Sequence, residues 1–184
     1  SLMWNDKKII HFFFKMDAFQ ALDGRRTVRQ YQTDYKIPEN ELEKIVNVVL
    51  KSPTACDVQE IDLIVVTNKE ILDKIEKSAI TSFPQNFQDN FNERREKLGV
   101  KNVITCDASC VIFLVQNERA DPTFTGIDTG IVSMSIMVAA RDFGLDSMCL
   151  GCLLWGDKSK TEELIGAKTG SLVMAVALGK ARPD

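Results

Sequence analysis

Three arginines and a threonine, Arg25, Arg26, Thr27 and Arg29, stand within five residues of one another. A guanidinium fork matches the oxygens of a phosphate bidentately, and a threonine hydroxyl adds a hydrogen bond to the same group. The other reading is a solvated basic turn that offsets nearby acids. A second polar stretch, SPTACDVQ over residues 52–59, offers Pro53 for rigidity, Thr54 as a small donor, and Asp57 and Gln59 as partners for the edge of a heterocycle. An ordinary helix-to-strand connection has the same composition. A third stretch, SMCLG over 147–151, ends in Gly151, where a backbone without a side chain lets a ligand approach closely. Cys149 and Cys152 form a CxxC across its end. Redox dithiols of the thioredoxin type open a helix after the first strand of a domain, whereas this pair follows a helix late in the chain. Buried, inert thiols are therefore the default.

Other chemistries are disfavoured by what is scarce. The single histidine, His11, lies in an N-terminal extension, which argues against His-based metal sites and against Ser-His-Asp or Cys-His catalysis. Two cysteines do not complete a zinc site, and Cys106 with Cys110 lies too close to a core strand to serve as a second pair, so no metal is expected. Lys and Arg number 23 against 26 Asp and Glu, for a net charge of -3. No global positive field gathers nucleic acid or anionic lipid, so any phosphate must be held locally. Five cysteines without a secretory signal read as reduced thiols in a cytoplasmic protein. The apolar run 9–14 is too short to span a bilayer, so no membrane anchor is expected.

The elements that must position these groups follow from periodicity. A chain of 184 residues, 45% hydrophobic and 27% charged, is expected to form one globular domain over 16–184, with 1–15 as an extension left out of the fold. Asp17 suits the N-cap of a short helix with Phe19 and Leu22 on one side, stopped by Gly24. Pro38 suits a first helical position, and Leu42, Ile45, Val46, Val49 and Leu50 repeat at helical spacing. The continuous run 61–67 reads as a buried strand, followed by a helix from Asn68 with Ile71, Leu72, Ile75 and Ala79 inward. In 81–98, Phe83, Phe87 and Phe91 are spaced by four, which suits a surface helix resting on the core or an aromatic lid over a site. Residues 108–116 form a second strand. Gly126 and Asp128 then open a helix to Phe143, whose middle, 131–140, has almost no polar face and must be covered on every side. Residues 146–151 read as a loop, Asp157 caps a short helix to Ile165, and 171–178 form a third strand.

Taken in order, these pieces resemble the nitroreductase family of FMN-dependent oxidoreductases, over 17–179. RRTVRQY (25–31) is similar to the family's RRSxRxF stretch, and SPTACDVQEI (52–61) to its APSxxNxQPW loop. DTGIVSMSIMVAARDFGLDSMCLG (128–151) resembles its DxG helix and following loop, and Leu178 with Gly179 its terminal Leu-Gly. The resemblance implies an α+β fold with a central mixed, mainly antiparallel sheet flanked by helices, in a homodimer with FMN at the subunit interface. It implies that Arg25, Arg26, Thr27 and Arg29 hold the phosphate, ribityl chain and pyrimidine edge. Pro53, Thr54, Asp57 and Gln59 would come from the other subunit and line the isoalloxazine. Met148, Cys149, Leu150 and Gly151 would run along the ring, with a backbone N–H of Leu150 or Gly151 directed at its N5. NADH or NADPH would reduce the flavin, and a nitroaromatic, quinone or similar small molecule would take the electrons in a ping-pong cycle. No side chain is then needed as general acid or base, so no catalytic residue is named. A non-catalytic flavin store or sensor, and a CxxC thiol oxidoreductase, are the alternatives. The chain departs from the pattern where Asp57 replaces the family's Asn and where Glu60 and Ile61 replace its Pro-Trp.

Overall fold

The computed structural model describes residues 16–183. The extension 1–15, with His11 and its apolar run, lies outside the described residues. In chain order the elements are α1 (Ala18–Gly24), α2 (Glu39–Val49), β1 (Ile61–Val66), α3 (Lys69–Thr81), α4 (Gln85–Leu98), β2 (Cys110–Gln116), α5 (Thr125–Arg141), β3 (Asp146–Cys149), α6 (Ser159–Leu164) and β4 (Leu172–Gly179). Short 3-10 turns cover Ala55–Asp57 and Gly151–Leu154.

The strands lie in the order β1-β2-β4-β3, and every strand pair is antiparallel. The only parallel pairing among the described residues is an isolated bridge from Thr27 to Ser147. β2 and β4 are central, and Cys110–Leu114 of β2 are wholly buried, which explains why these strands read as continuous apolar runs. Strand alternation sends Phe113 and Ala175 to one face, against Leu72 and Ile75 of α3. Ile112, Leu114 and Val176 go to the other, against Ile45 of α2 and Val132 and Ile136 of α5. The sheet is thus the middle layer between two sets of helices.

Local chemistry sets the helix starts. Asp17 accepts from Gln20 N at 2.8 Å in a capping box, and Asn68 accepts from Glu70 N at 2.9 Å. Pro38 sits one position earlier than the sequence suggests, at the N-cap of α2. Residues 146–151, expected as a loop, instead supply the edge strand β3, paired through Asp146–Gly179 to Cys149–Val176. Four residues bordered by one neighbour only carry too short an alternation to announce a strand. The apolar residues of two helices are unevenly covered within the single chain. Phe19 and Leu22 face outward at 78% and 48% exposure, while Ala21 alone of α1 is buried. In 131–140, Val132, Ser133, Ile136 and Ala140 are buried, but Ile131, Met134, Met137 and Val138 are only half covered.

Residues 102–110 form a fully buried approach to β2. Its polar groups satisfy one another: Asp107 accepts from Lys101 N at 3.0 Å and Asn102 N at 2.8 Å, and Ser109 Oγ donates to Tyr35 O at 2.7 Å.

Candidate active site

The basic segment is held extended at the edge of the sheet. Gly24 ends α1, Thr27 bridges Ser147, and Val28 N donates to Ser147 O at 3.2 Å. Farther on, Gln32 N donates to Lys180 O and Arg182 N to Gln30 O, each at 2.9 Å. The predicted phosphate-binding residues therefore run alongside β3, next to the predicted ring-side loop. Their side chains are not equivalent. Arg26 Nη1 is engaged by the carbonyls of Asp23 and Arg25. Arg25 and Arg29 make no side-chain hydrogen bond or ion pair among the described residues, and Arg25 Nε is buried without a partner, as is Ser147 Oγ. Buried donors are almost always satisfied, so these atoms mark a place for an acceptor. Lys180 lies over the Tyr35 ring, and Arg182 donates to the carbonyls of Tyr31 and Gly99. Neither cation at the C-terminal end is turned to this place.

Along 148–151, Met148 and Leu150 are buried and Cys149 is exposed. Leu150 N already donates to Ala175 O at 2.8 Å, so of the two amides expected to serve a ring nitrogen, Leu150 is excluded and Gly151 is left. Nothing lies within 4 Å of the position a Cβ would take on Gly151, so a ligand can reach its backbone. These residues border a cavity of about 220 Å³ whose other walls include Arg29, Phe91, Arg94 and Trp155. Arg94 is not singled out by the sequence, because 81–98 reads through its three phenylalanines as a surface helix or an aromatic lid. The available signal was spacing: Phe87, Phe91 and Arg94 recur at four and three residues and share a helix face. Phe83 packs on Phe87 and Phe91 with ring centroids 6.0 and 5.5 Å apart.

The loop 53–59 is built elsewhere. Thr54 Oγ1 accepts from Gln59 N at 2.9 Å, Asp57 accepts from Gln59 Nε2 at 3.0 Å, and Ala55 N donates to the buried carboxylate of Asp128 at 3.0 Å. Ser52 Oγ donates to Ser135 Oγ at 2.8 Å, tying the loop to α5. Cys56, Asp57 and Gln59 have φ of 51°, 55° and 53°, a left-handed conformation that non-glycine residues adopt at a cost and that is common at functional loops. Pro53 and Asp57 are exposed, and Thr54 and Gln59 partly so. Glu60 turns inward, accepting from Asp121 N at 2.7 Å. Among the described residues no hydrogen bond, bridge or cavity joins 53–59 to 25–29 or 147–151. Within one chain the candidate residues therefore fall into two separate groups. The outer side of α5, with Thr129, Ser133 and Met137, forms with Cys149 and β4 a groove of about 650 Å³. Thr129 Oγ1 and Ser133 Oγ are buried there without partners. A groove of about 1120 Å³ between α2 and β1 contains none of the predicted site residues.

The CxxC has neither the setting nor the electrostatics of a redox pair. Burial pushes both thiols up, with Arg25 beside Cys149 and Arg94 beside Cys152 only partly opposing it. Cys149 is exposed as a residue, yet its Sγ lies 3.9 Å from Met137 Sδ. Reactive thiols have lowered values. Among the described residues no cluster of metal-ligating side chains occurs.

Sequence and fold comparisons identify the family. The model of the Nitroreductase family matches residues 22–180, and the chain belongs to that family. A protein of Methanothermobacter thermautotrophicus named as an NADH dehydrogenase/NAD(P)H nitroreductase is 29% identical over 156 residues, covering 82% of this chain and 72% of its own. The enone reductase of CLA biosynthesis from Lactiplantibacillus plantarum is 25% identical, covering 91% and 87%. The crystal structure of a nitroreductase with bound FMN from Desulfitobacterium hafniense superposes with a TM-score of 0.75 at 21% identity, over 92% of each chain.

Proposed function

We propose that the protein is an FMN-dependent NAD(P)H oxidoreductase that acts as a homodimer with two shared sites. One observation carries the reading: each chain presents a cationic half-site with unpartnered Arg25 and Arg29 and, separately, a strained polar loop 53–59 tied to a helix with a half-covered face. Two copies joined along α5 bring one half-site to the other. The residues present fit FMN. Arg25 and Arg29 suit its phosphate and pyrimidine edge, Thr27 and Ser147 its polar chain, and Gly151 N–H a ring acceptor. Pro53, Thr54, Asp57 and Gln59 of the second copy would close the other face of the ring, with Arg26 supporting the turn through its carbonyl contacts.

FMN, when bound, supplies electron transfer between a nicotinamide nucleotide and an acceptor. The chain's own residues position it, place positive charge where the ring gains electron density, and keep one open slot for donor and acceptor in turn. The named relatives include nitroreductases and an enone reductase, and both acceptor groups are electron-poor and conjugated. An acceptor of that type, nitroaromatic, quinone or enone, is the substrate class we assign. The free cysteines suit a cytoplasmic setting.

The test begins with the absorption spectrum. Purified protein is expected to be yellow, to release FMN rather than FAD on denaturation, and to oxidise NADH or NADPH with parallel double-reciprocal lines. Colourless protein that does not take up added FMN would refute the reading. Bound flavin without NAD(P)H oxidation would instead indicate a store.

A further inference from the structure

We infer, on the basis of the flavin-dependent reading above, that Arg94 and Trp155 select the electron acceptor and favour a flat aromatic molecule bearing a carboxylate. Four observations converge. The Arg94 guanidinium has no hydrogen bond or ion pair among the described residues. Its neighbour Arg95, by contrast, is bound to Glu76, Asn92 and Lys101 O. Arg94 lines the same cavity as Arg29 and 148–152. α4 buries no residue completely, so no core packing requires a cation at that point of its inner face. Trp155, at the same cavity, is 78% exposed, an indole plane offered to solvent.

An exposed indole beside an unpaired guanidinium is a complementary surface for an aromatic acid: the ring stacks on tryptophan, and the carboxylate accepts two parallel N–H bonds from arginine. The cavity, about 220 Å³, is also bordered by the residues given to the flavin, so the acceptor is placed at its Arg94 and Trp155 side. The same guanidinium chemistry would also recognise a phosphate, of NADPH or of the flavin itself, and the experiment separates these sources.

FMN-loaded protein is assayed with 4-nitrobenzoate and 4-nitrobenzamide, which share ring and size and differ in charge. Arg94→Gln is expected to lower the ratio of kcat/KM for the acid over the amide on the order of tenfold, with Arg94→Lys restoring part of it. Trp155→Ala is expected to raise KM for both acceptors. FMN affinity, read by flavin fluorescence, is expected to stay within about twofold in Arg94→Gln. An unchanged acid-to-amide ratio overturns the proposal. So does a matching loss of FMN affinity, which assigns Arg94 to the cofactor, or a loss confined to NADPH, which assigns it to the donor. If neither acceptor is turned over, both are titrated against the flavin absorbance of the loaded protein, and equal affinities overturn the proposal. Failure to bind FMN at all overturns the functional reading together with this one.

Discussion

Arg25, Arg26 and Arg29 read alike in the sequence, but their surroundings make them chemically unequal. Arg26 is engaged by two backbone carbonyls, whereas Arg25 and Arg29 have none. Arg25→Ala and Arg29→Ala are each expected to weaken FMN binding by about 1.5 to 3 kcal/mol, the worth of a charged hydrogen bond. Arg26→Ala acts through the turn and is expected to cost less. Equal losses for all three in a fluorescence titration would contradict this ranking. Tyr31 and Gly179 give a second contrast. A Cβ on Gly179 would lie 2.8 Å from Tyr31 Cδ1, inside a fully buried ring contact, so Gly179→Ala is expected to destabilise by about 1 to 3 kcal/mol in urea unfolding. Tyr31 Oη is buried without a partner, so Tyr31→Phe is expected to be neutral or stabilising by the same measurement.

Cys106 sets a pH dependence. Burial pushes its thiol up to about 11 from 9.0, with Arg94 and Arg29 partly opposing. The folded state therefore holds a proton that the unfolded state releases first. The stability this represents is complete below about pH 9 and is lost as pH rises toward 11. Within that window the group contributes a slope of about -1.4 kcal/mol per pH unit. Cys106→Ser is expected to flatten the curve of unfolding free energy against pH in that range. A slope unchanged by the substitution would remove Cys106 as its source.

At the scale of elements, α5 is decisive. It packs one side on β3, β4 and α2 and leaves Met137 half covered beside Cys149, in the groove that α5 forms with β4, along the helix where we propose the second copy packs. Met137→Glu would bury an unpaired charge there, a cost of about 3 kcal/mol or more. Dimer and flavin are expected to be lost together, in sedimentation and in absorbance. A monomer that keeps FMN would disprove the shared site. The helices were legible because caps and 3.6-residue periodicity are local, as at Asp17 and Asn68. β1, β2 and β4 were legible because buried strands read as apolar runs. β3 was missed because its four residues have partners only at a distance, and the buried segment 102–107 because its polar residues resemble surface until their hydrogen bonds are seen. The same limit applies to the candidate site. Residue types showed the arginine cluster, but only three-dimensional structure shows that Arg26 is captured by carbonyls, that Leu150 N–H is occupied, and that Arg94 faces the cavity.

At the scale of the molecule, the basic segment owes its position to distant chain. Its backbone partners are Ser147, Lys180 and Arg182. Arg25 and Arg29 therefore take their places only when Ser147, Lys180 and Arg182 are there to pair with the segment. α3, by contrast, carries its own cap in Asn68 and forms through local bonds, so placing the basic segment depends on long-range pairing that such a helix does not need. Deleting 180–184 is expected to abolish FMN uptake while the far-UV helical signal is largely kept, and hydrogen exchange at Gln32 N is expected to quicken before that of β2. A truncated chain that still binds FMN would show that the segment finds its place unaided. Cofactor loading thereby reports long-range order: a chain in which Gln30 and Gln32 have not yet paired with Arg182 and Lys180 has no fixed arginines with which to hold the flavin.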